Sequence, residues 1–304
     1  AAHLGQRVRF IPQVQGADAR RLFWNTLRAQ GAPFPHTSQI AQFAVFKDAR
    51  AHGVKVMLGG QGGDEAFMGY RKFFLFQVRH MLRSRDWRSV PEAASNFLQI
   101  LPAVASRASL FWRERGRYSA EGAEGLGSGL TLPPLANSAS PGAGLGGDPA
   151  IRQALDVTRY SLPSLLRYED RNSMGNSIES RLPFLDHRVI EFGTALPIRH
   201  KLRNGMGKYL LRDAMRGKVP DWILFNRDKR GFDTRHADFI ASGIGDAIRQ
   251  GLAIHKQAAA YLPADATINR YFSDRALTEV ASRFAEATTL LWLLDPGLSS
   301  YPEG

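Results

Sequence analysis

Val54-Lys55-Val56-Met57-Leu58-Gly59-Gly60-Gln61-Gly62-Gly63-Asp64-Glu65 is the stretch on which the reading of the fold turns. Its first five residues, β-branched at Val54 and Val56, read as a short buried strand. Four glycines in the next five positions let the backbone approach a ligand without a Cβ in the way. Asp64 and Glu65 then open a helix, whose free N–H groups and dipole favour a phosphate. Strand, glycine-rich loop and helix in succession are the grammar of a parallel sheet, so the chain reads as α/β. The two acids admit two readings. Asp64 beside a phosphate can hold Mg²⁺, which takes one or two carboxylates plus phosphate oxygens; alternatively both acids only complement the helix dipole.

Outward from this stretch, the first sixty residues alternate. Arg7-Val8-Arg9-Phe10-Ile11 reads as a strand, and Asp18 as the cap of a helix carrying Leu22, Phe23 and Leu27. Thr37 and Ser38 can cap a second helix with Ile40, Phe43, Ala44 and Ala51 on its apolar face, ended by Gly53. The boundaries so drawn are an α/β part over 1–75, a helical segment over 76–115 with breaks at Pro91 and Pro102, a loop over 116–147, and a mainly helical part over 148–304. The loop holds nine Gly and three Pro and shows no periodicity, which is why it reads as a loop.

Composition excludes several classes. The chain has 304 residues, no cysteine and a net charge of +12. Disulfides, thiolate zinc sites and cysteine nucleophiles are ruled out in these residues. The longest apolar run, Leu290-Leu291-Trp292-Leu293-Leu294, is far short of the ~20 residues of a membrane span. No His-Glu-x-x-His and no Gly-x-Ser-x-Gly occurs. The basic residues are scattered, so the charge suits an anion-binding face better than a dedicated nucleic-acid surface. A cytoplasmic location is the expectation.

Two further clusters can carry chemistry. Asp170-Arg171-Asn172-Ser173-Met174 with Ile178-Glu179-Ser180-Arg181-Leu182-Pro183-Phe184-Leu185-Asp186 mixes acids and arginines among apolar residues. Half-buried charges at that density must pair with one another or with a ligand, so Asp170, Arg171, Glu179 and Arg181 stand as substrate-binding or structural ion-pair residues. Gly207-Lys208-Tyr209-Leu210-Leu211-Arg212 places Lys208 near a helix start, where the dipole disfavours a cation and an anionic partner would suit it; a surface lysine is the alternative. Lys229, in Arg227-x-Lys229-x-Gly231-Phe232, joins the ion-pair candidates.

In this order the segments, with Gly53 to Tyr70 at their head, resemble the C-terminal synthetase domain of glutamine-hydrolysing asparagine synthetases, from about Arg7 to Phe232. The resemblance implies an adenine-nucleotide α-hydrolase-like parallel sheet, partial at the N-terminus, with a large helical subdomain. It implies activation of the aspartate side-chain carboxylate by ATP with Mg²⁺, through an acyl-adenylate that ammonia converts to the amide. Gly59 and Gly60 would lie against the nucleotide, Asp64 would hold the metal, and Lys208 would contact the reacting phosphates. A Ser-Gly-Gly-x-Asp-Ser pyrophosphate loop is absent from the sequence, as is a glutaminase domain. The expectation is therefore the C-terminal part of a longer synthetase, incomplete for activity alone, with a glutaminase upstream or in trans and a homodimer compatible. Gln61 replaces a glutamate that one branch uses in adenylation, which leaves room for a β-lactam- or macrolactam-forming relative. An inactive fragment or a basic interaction module is the alternative of another class.

Overall fold

The computed structural model describes residues 9–11, 13–84, 90–105, 148–226, 235–280, 282–295 and 297–298. Helix α1, Ala17–Gln30, buries Leu22, Phe23, Trp24 and Leu27 as its spacing predicts. Gly16, not Asp18, stands at its N-cap; Asp18 falls in the first turn and pairs with Arg21. Helix α2, Ser38–Ala51, starts after Thr37 as expected, but the Thr37 hydroxyl bonds His236 Nδ1 at 3.0 Å instead of capping the helix. Residues 9–11, the described part of the first predicted strand, belong to no strand.

The main core lies between α1, α2 and the C-terminal helices. The rings of Phe23, Phe34 and Phe284 meet at centroid distances of 5.9–6.5 Å. Around them Leu27, Ile40, Ile240, Ile248, Leu290 and Leu291 are shut off from water. A second cluster unites Phe73, Phe74 and Phe76 of α4, Lys72–Ser84, with Ile100 of α5, Val90–Ala105, and with Met68 and Leu202. This smaller core underlies the segments that carry the candidate site.

Strand β1, Val56–Leu58, pairs in parallel with β2, Glu179–Arg181, in the register Val56 to Glu179 and Leu58 to Arg181. The crossover between them is long and helical, as parallel pairing demands. The strand was expected to be buried, and it is not: Leu58 is 74% exposed, Val56 42%. Among the described residues β1 has one neighbour. Only the face bearing Met57 and Ser180 is covered, by α7, Leu162–Met174, whose Glu169 accepts the Ser180 hydroxyl at 2.6 Å. Val56 and Leu58 share the opposite face with Glu179 and Arg181.

Pro91 sits in the first turn of α5, where a missing N–H costs nothing. Pro102 was expected to break the helix; it lies in the last turn, and α5 continues to Ala105. The predicted loop over 116–147, the helical reading of 106–115 and the segment 227–232 lie outside the described residues. Helical structure resumes as predicted at Asp148, whose carboxylate caps α6, Pro149–Leu155, by accepting the Ala150 N–H. Among the described residues no helix is long and apolar enough to cross a membrane.

Candidate active site

The glycine-rich loop leaves β1 at Gly59, whose N–H bonds Arg181 O at 2.8 Å, so the loop begins at the carboxyl ends of both strands. Packing explains most of its glycines. A Cβ on Gly59 would come within 2.5 Å of Glu169 Oε1, and one on Gly62 within 2.3 Å of Leu185. Gly62 also has φ +89°, a left-handed conformation that glycine adopts without a Cβ penalty. At Gly60 a Cβ would meet nothing within 4 Å, and this residue faces outward. Packing thus leaves no room for a side chain at Gly59, whereas Gly60 is open to solvent.

The helix expected after the loop is a single turn, α3, Gly63–Ala66. Its dipole is correspondingly small, so charged side chains must supply most of any anion affinity. The two first-turn acids diverge. Glu65 is buried, and its Oε1 accepts from the Tyr70 and Ser161 hydroxyls, the latter at 2.9 Å. Burial, reinforced by the Glu65 charge, pushes the Tyr70 phenol far above its ordinary value, so it stays a donor. Asp64 instead remains 29% exposed and meets Lys208 Nζ at 3.0 Å.

This meeting requires an unusual backbone. Lys208 is the N-cap of α10, Tyr209–Ala214, with φ +56°; Met68, on the strand of chain beside it, has φ +51°. Non-glycine residues held there cost about 1–3 kcal/mol each and concentrate at functional sites. The Lys208 N–H bonds Phe67 O at 3.1 Å and locks the two segments together. Their approach is closer than side chains would allow. A Cβ on Gly69 would fall 1.8 Å from Asp64 Oδ1 and 2.5 Å from Lys208 Cε, and one on Gly207 would fall 2.6 Å from Met68 O. Arg212 holds the outer side: its Nε donates to Gly207 O at 2.9 Å and its Nη1 to the Leu224 carbonyl. Burial lowers the Arg212 guanidinium from its ordinary value, against the opposing charge of Asp64.

A buried relay supports α3 from behind. Gln153 donates to Glu65 O at 2.9 Å and Ala66 O at 2.6 Å, and accepts from Lys201 Nζ at 2.6 Å. Beside it, Asp156 is closed from water between Lys72 at 2.5 Å and Arg152 at 3.1 Å. Burial pushes the Lys72 ammonium down, with Asp156 opposing.

The predicted residues therefore separate. Gly60, Gln61, Asp64 and Lys208 come together at the loop; Gln61 is half-buried and makes no side-chain hydrogen bond among the described residues. Asp170 and Arg171, read as substrate-binding or structural ion-pair residues, both lie on the exposed side of α7 and form no ion pair among the described residues. Density of charge in sequence did not mean burial, because helix periodicity turns these two to solvent and only Glu169 inward. Glu179 and Arg181 pair with each other at 2.7 Å on the exposed sheet face, each holding the other in its charged form. Lys229 lies outside the described residues. The sequence alone points to no role for Gly69, Gly207 or Arg212, and gives Glu65 only a dipole-complementing one. Glycines directly after a helix turn and directly before Lys208 were the available signal.

A parallel strand pair running into a glycine-rich loop, with a carboxylate and a lysine paired beside it, defines an α/β protein. The particular family is shown by comparison: the asparagine synthase family model matches residues 1–299, and the chain belongs to that family. It is 27% identical over 254 residues to "Asparagine synthetase [glutamine-hydrolyzing] 1" of Bacillus subtilis (strain 168), covering 77% of this chain and 39% of that protein. It is 30% identical over 234 residues to a "Putative asparagine synthetase [glutamine-hydrolyzing]" of Mycobacterium tuberculosis (strain ATCC 25618 / H37Rv), covering 69% and 34%. "Amidase chyE" of Penicillium rubens (strain ATCC 28089 / DSM 1075 / NRRL 1951 / Wisconsin 54-1255) is 25% identical over 269 residues, covering 75% and 39%. The chain thus spans about two-fifths or less of the length of these relatives. No solved structure is a significant match.

Proposed function

We propose that the protein is an ATP-dependent amide-forming ligase that makes asparagine from aspartate, with its synthetase domain running over 1–304 on an adenine-nucleotide α-hydrolase-like sheet. The observation that carries this reading is the Asp64–Lys208 pair, 3.0 Å apart across Gly69 at the foot of the glycine-rich loop. Family membership and the names of the relatives support it.

In the proposed reaction a side-chain carboxylate oxygen attacks the α-phosphorus of ATP. The bond to the bridging oxygen breaks, and pyrophosphate leaves with its electron pair. Ammonia then attacks the acyl carbon; the C–O bond to AMP breaks, and a proton passes to solvent. The ammonia comes from glutamine hydrolysed by a separate domain. Charge grows on phosphate oxygens in the first step, which a fixed cation in a partly water-excluded site stabilises. Lys208 supplies that cation. Its strained φ, its N–H bond to Phe67 and the Arg212 clamp hold it ready before substrate arrives. Gly60 gives the nucleotide backbone access, and Gln61 borders the carboxylate.

Asp64 fits Mg²⁺ on its own chemistry. It offers hard, partly exposed oxygens, and among the described residues no group of three or more His, Asp or Glu forms a closed metal cage. A single carboxylate completed by phosphate oxygens is how Mg²⁺ is commonly held. Bound there, the ion would neutralise phosphate charge. Asp64 and Lys208 pair with one another in the present geometry; Asp64 would hold the metal and Lys208 would face the phosphate.

The test is AMP and pyrophosphate formation by the full-length protein from Mg·ATP, aspartate and ammonium chloride. Stoichiometric AMP and asparagine support the proposal. ADP and phosphate as products, or no nucleotide turnover with any carboxylate, contradict it.

A further inference from the structure

A cavity of about 490 Å³ opens between α5 and the segment linking α9, Ile198–Lys201, to the turn at 203–206. That is within the range of small-ligand pockets. The proposed reaction uses none of its lining. Glu92, Ser95 and Asn96 form one wall; Arg199, His200 and Arg203 stand on the other.

The floor is fixed. Asn96 is buried and fully engaged: its amide donates to Gln77 Oε1 at 3.2 Å and to Leu202 O at 3.4 Å, and its carbonyl oxygen accepts the Gly205 N–H at 3.1 Å. These bonds tie the 203–206 turn to α5 and set the distance between the walls. Arg203 is oriented too, its guanidinium lying 5.2 Å from the centre of the Tyr209 ring.

The walls carry charges of opposite sign. Glu92 Oε1 is buried and has no hydrogen-bond partner among the described residues. A buried acceptor without a donor is costly, and more so on a carboxylate. Across from it the side chains of Arg199 and His200 make no ion pair or hydrogen bond among the described residues. Glu92 does not reach the two arginines, although it shares the cavity with them.

A polyanion such as phosphate would meet repulsion from Glu92 on the α5 wall. A metal ion would find one carboxylate facing two arginines. A molecule with an ammonium at one end and a carboxylate at the other satisfies both walls, since charged donors and bidentate arginine contacts are the strong kind. We propose that this cavity binds a small amino-acid zwitterion, its ammonium on Glu92 and its carboxylate on Arg199 and Arg203, at a site separate from Asp64 and Lys208.

The test is calorimetric titration of the full-length protein with glycine and γ-aminobutyrate, which differ in charge separation, and with butyrate, butylamine and inorganic phosphate as single-charge probes. At least one zwitterion should bind with Kd below 10 mM, and every single-charge probe at least tenfold more weakly. Glu92→Gln and Arg199→Gln should each weaken the zwitterion at least tenfold and leave Mg·ATP binding unchanged. Absence of zwitterion binding at 10 mM, equal or tighter binding of butyrate or phosphate, or wild-type affinity in both variants would overturn the proposal. Should either variant fail to fold, the probe comparison on the wild-type protein still decides.

Discussion

Lys208 is held in a left-handed conformation at a helix N-cap, against Asp64 and over a glycine with no room for a methyl group. The left-handed backbone costs stability by itself, and the proposed function accounts for it as the cost of placing a cation for a ligand. Removing one electrostatic contact of this kind costs about 3–4 kcal/mol of transition-state stabilisation, a hundredfold or more in rate. Lys208→Ala in the full-length protein should therefore lower kcat far more than it raises KM for ATP. Lys208→Arg should restore little, because a planar fork does not fill a point-charge site. Gly69→Ala should abolish adenylation while the helical circular dichroism stays, since the new Cβ strikes the Asp64 carboxylate and the Lys208 side chain. Wild-type turnover in Gly69→Ala would show that the two groups need not meet. Asp64→Asn should lose Mg²⁺-dependent activity, an amide being a poorer ligand for a hard cation; an unchanged Mg²⁺ titration would return Asp64 to a dipole-complementing role.

Helix packing sets the next scale. Gly251 lies in Gly245–Ile254, where a Cβ would fall 2.6 Å from the Trp24 ring and 2.9 Å from Leu291. Alanine there gains up to about 1 kcal/mol of helix propensity but overpacks the core by about 1–3 kcal/mol. Gly251→Ala should accordingly lower stability by roughly 1–2 kcal/mol in urea unfolding; a rise in the midpoint would show that Trp24 yields freely. At this scale the sequence was a good guide where periodicity spoke. Leu22, Phe23 and Leu27 went into the core as spaced, and the strand, glycine loop and turn of helix appeared in order. It misled where the deciding fact was a neighbour. Val56 and Leu58 look like core residues by type, yet burial of a strand depends on what pairs beside it. Asp170 and Glu169 are adjacent carboxylates, and only the helix phase separates the exposed one from the buried one. Of the candidate site, Gly59, Gly60, Gln61, Asp64 and Lys208 stand out in the sequence, while Gly69 and Gly207 gain meaning only once two distant segments touch.

Across the whole molecule the relay from Lys201 through Gln153 to the α3 carbonyls couples pH to the site's foundation. Lys201 is almost wholly buried and donates to Gln153 Oε1 at 2.6 Å and Thr194 O at 3.1 Å. Burial brings its ammonium from 10.5 down to about 8, with the charge of Asp148 opposing. Between about pH 8 and 10.5 the unfolded chain then binds more protons at this group than the folded one, so stability rises with pH in that window and is flat below it. After allowance for solvent screening the gain is about 1–2 kcal/mol. Urea unfolding at pH 7.5 and pH 10 should show this rise in the wild-type protein and its loss in Lys201→Met; equal slopes in both would remove Lys201 from the account.

The central claim is that Lys208 and Asp64 form one phosphate- and metal-binding unit for adenylation. Single-turnover release of pyrophosphate from Mg·ATP with aspartate, in the full-length protein and its Lys208→Ala variant, tests it most directly. The account predicts a rate reduced about a hundredfold or more at saturating ATP, with ATP affinity nearly kept. A wild-type rate of pyrophosphate release in the alanine variant would contradict it.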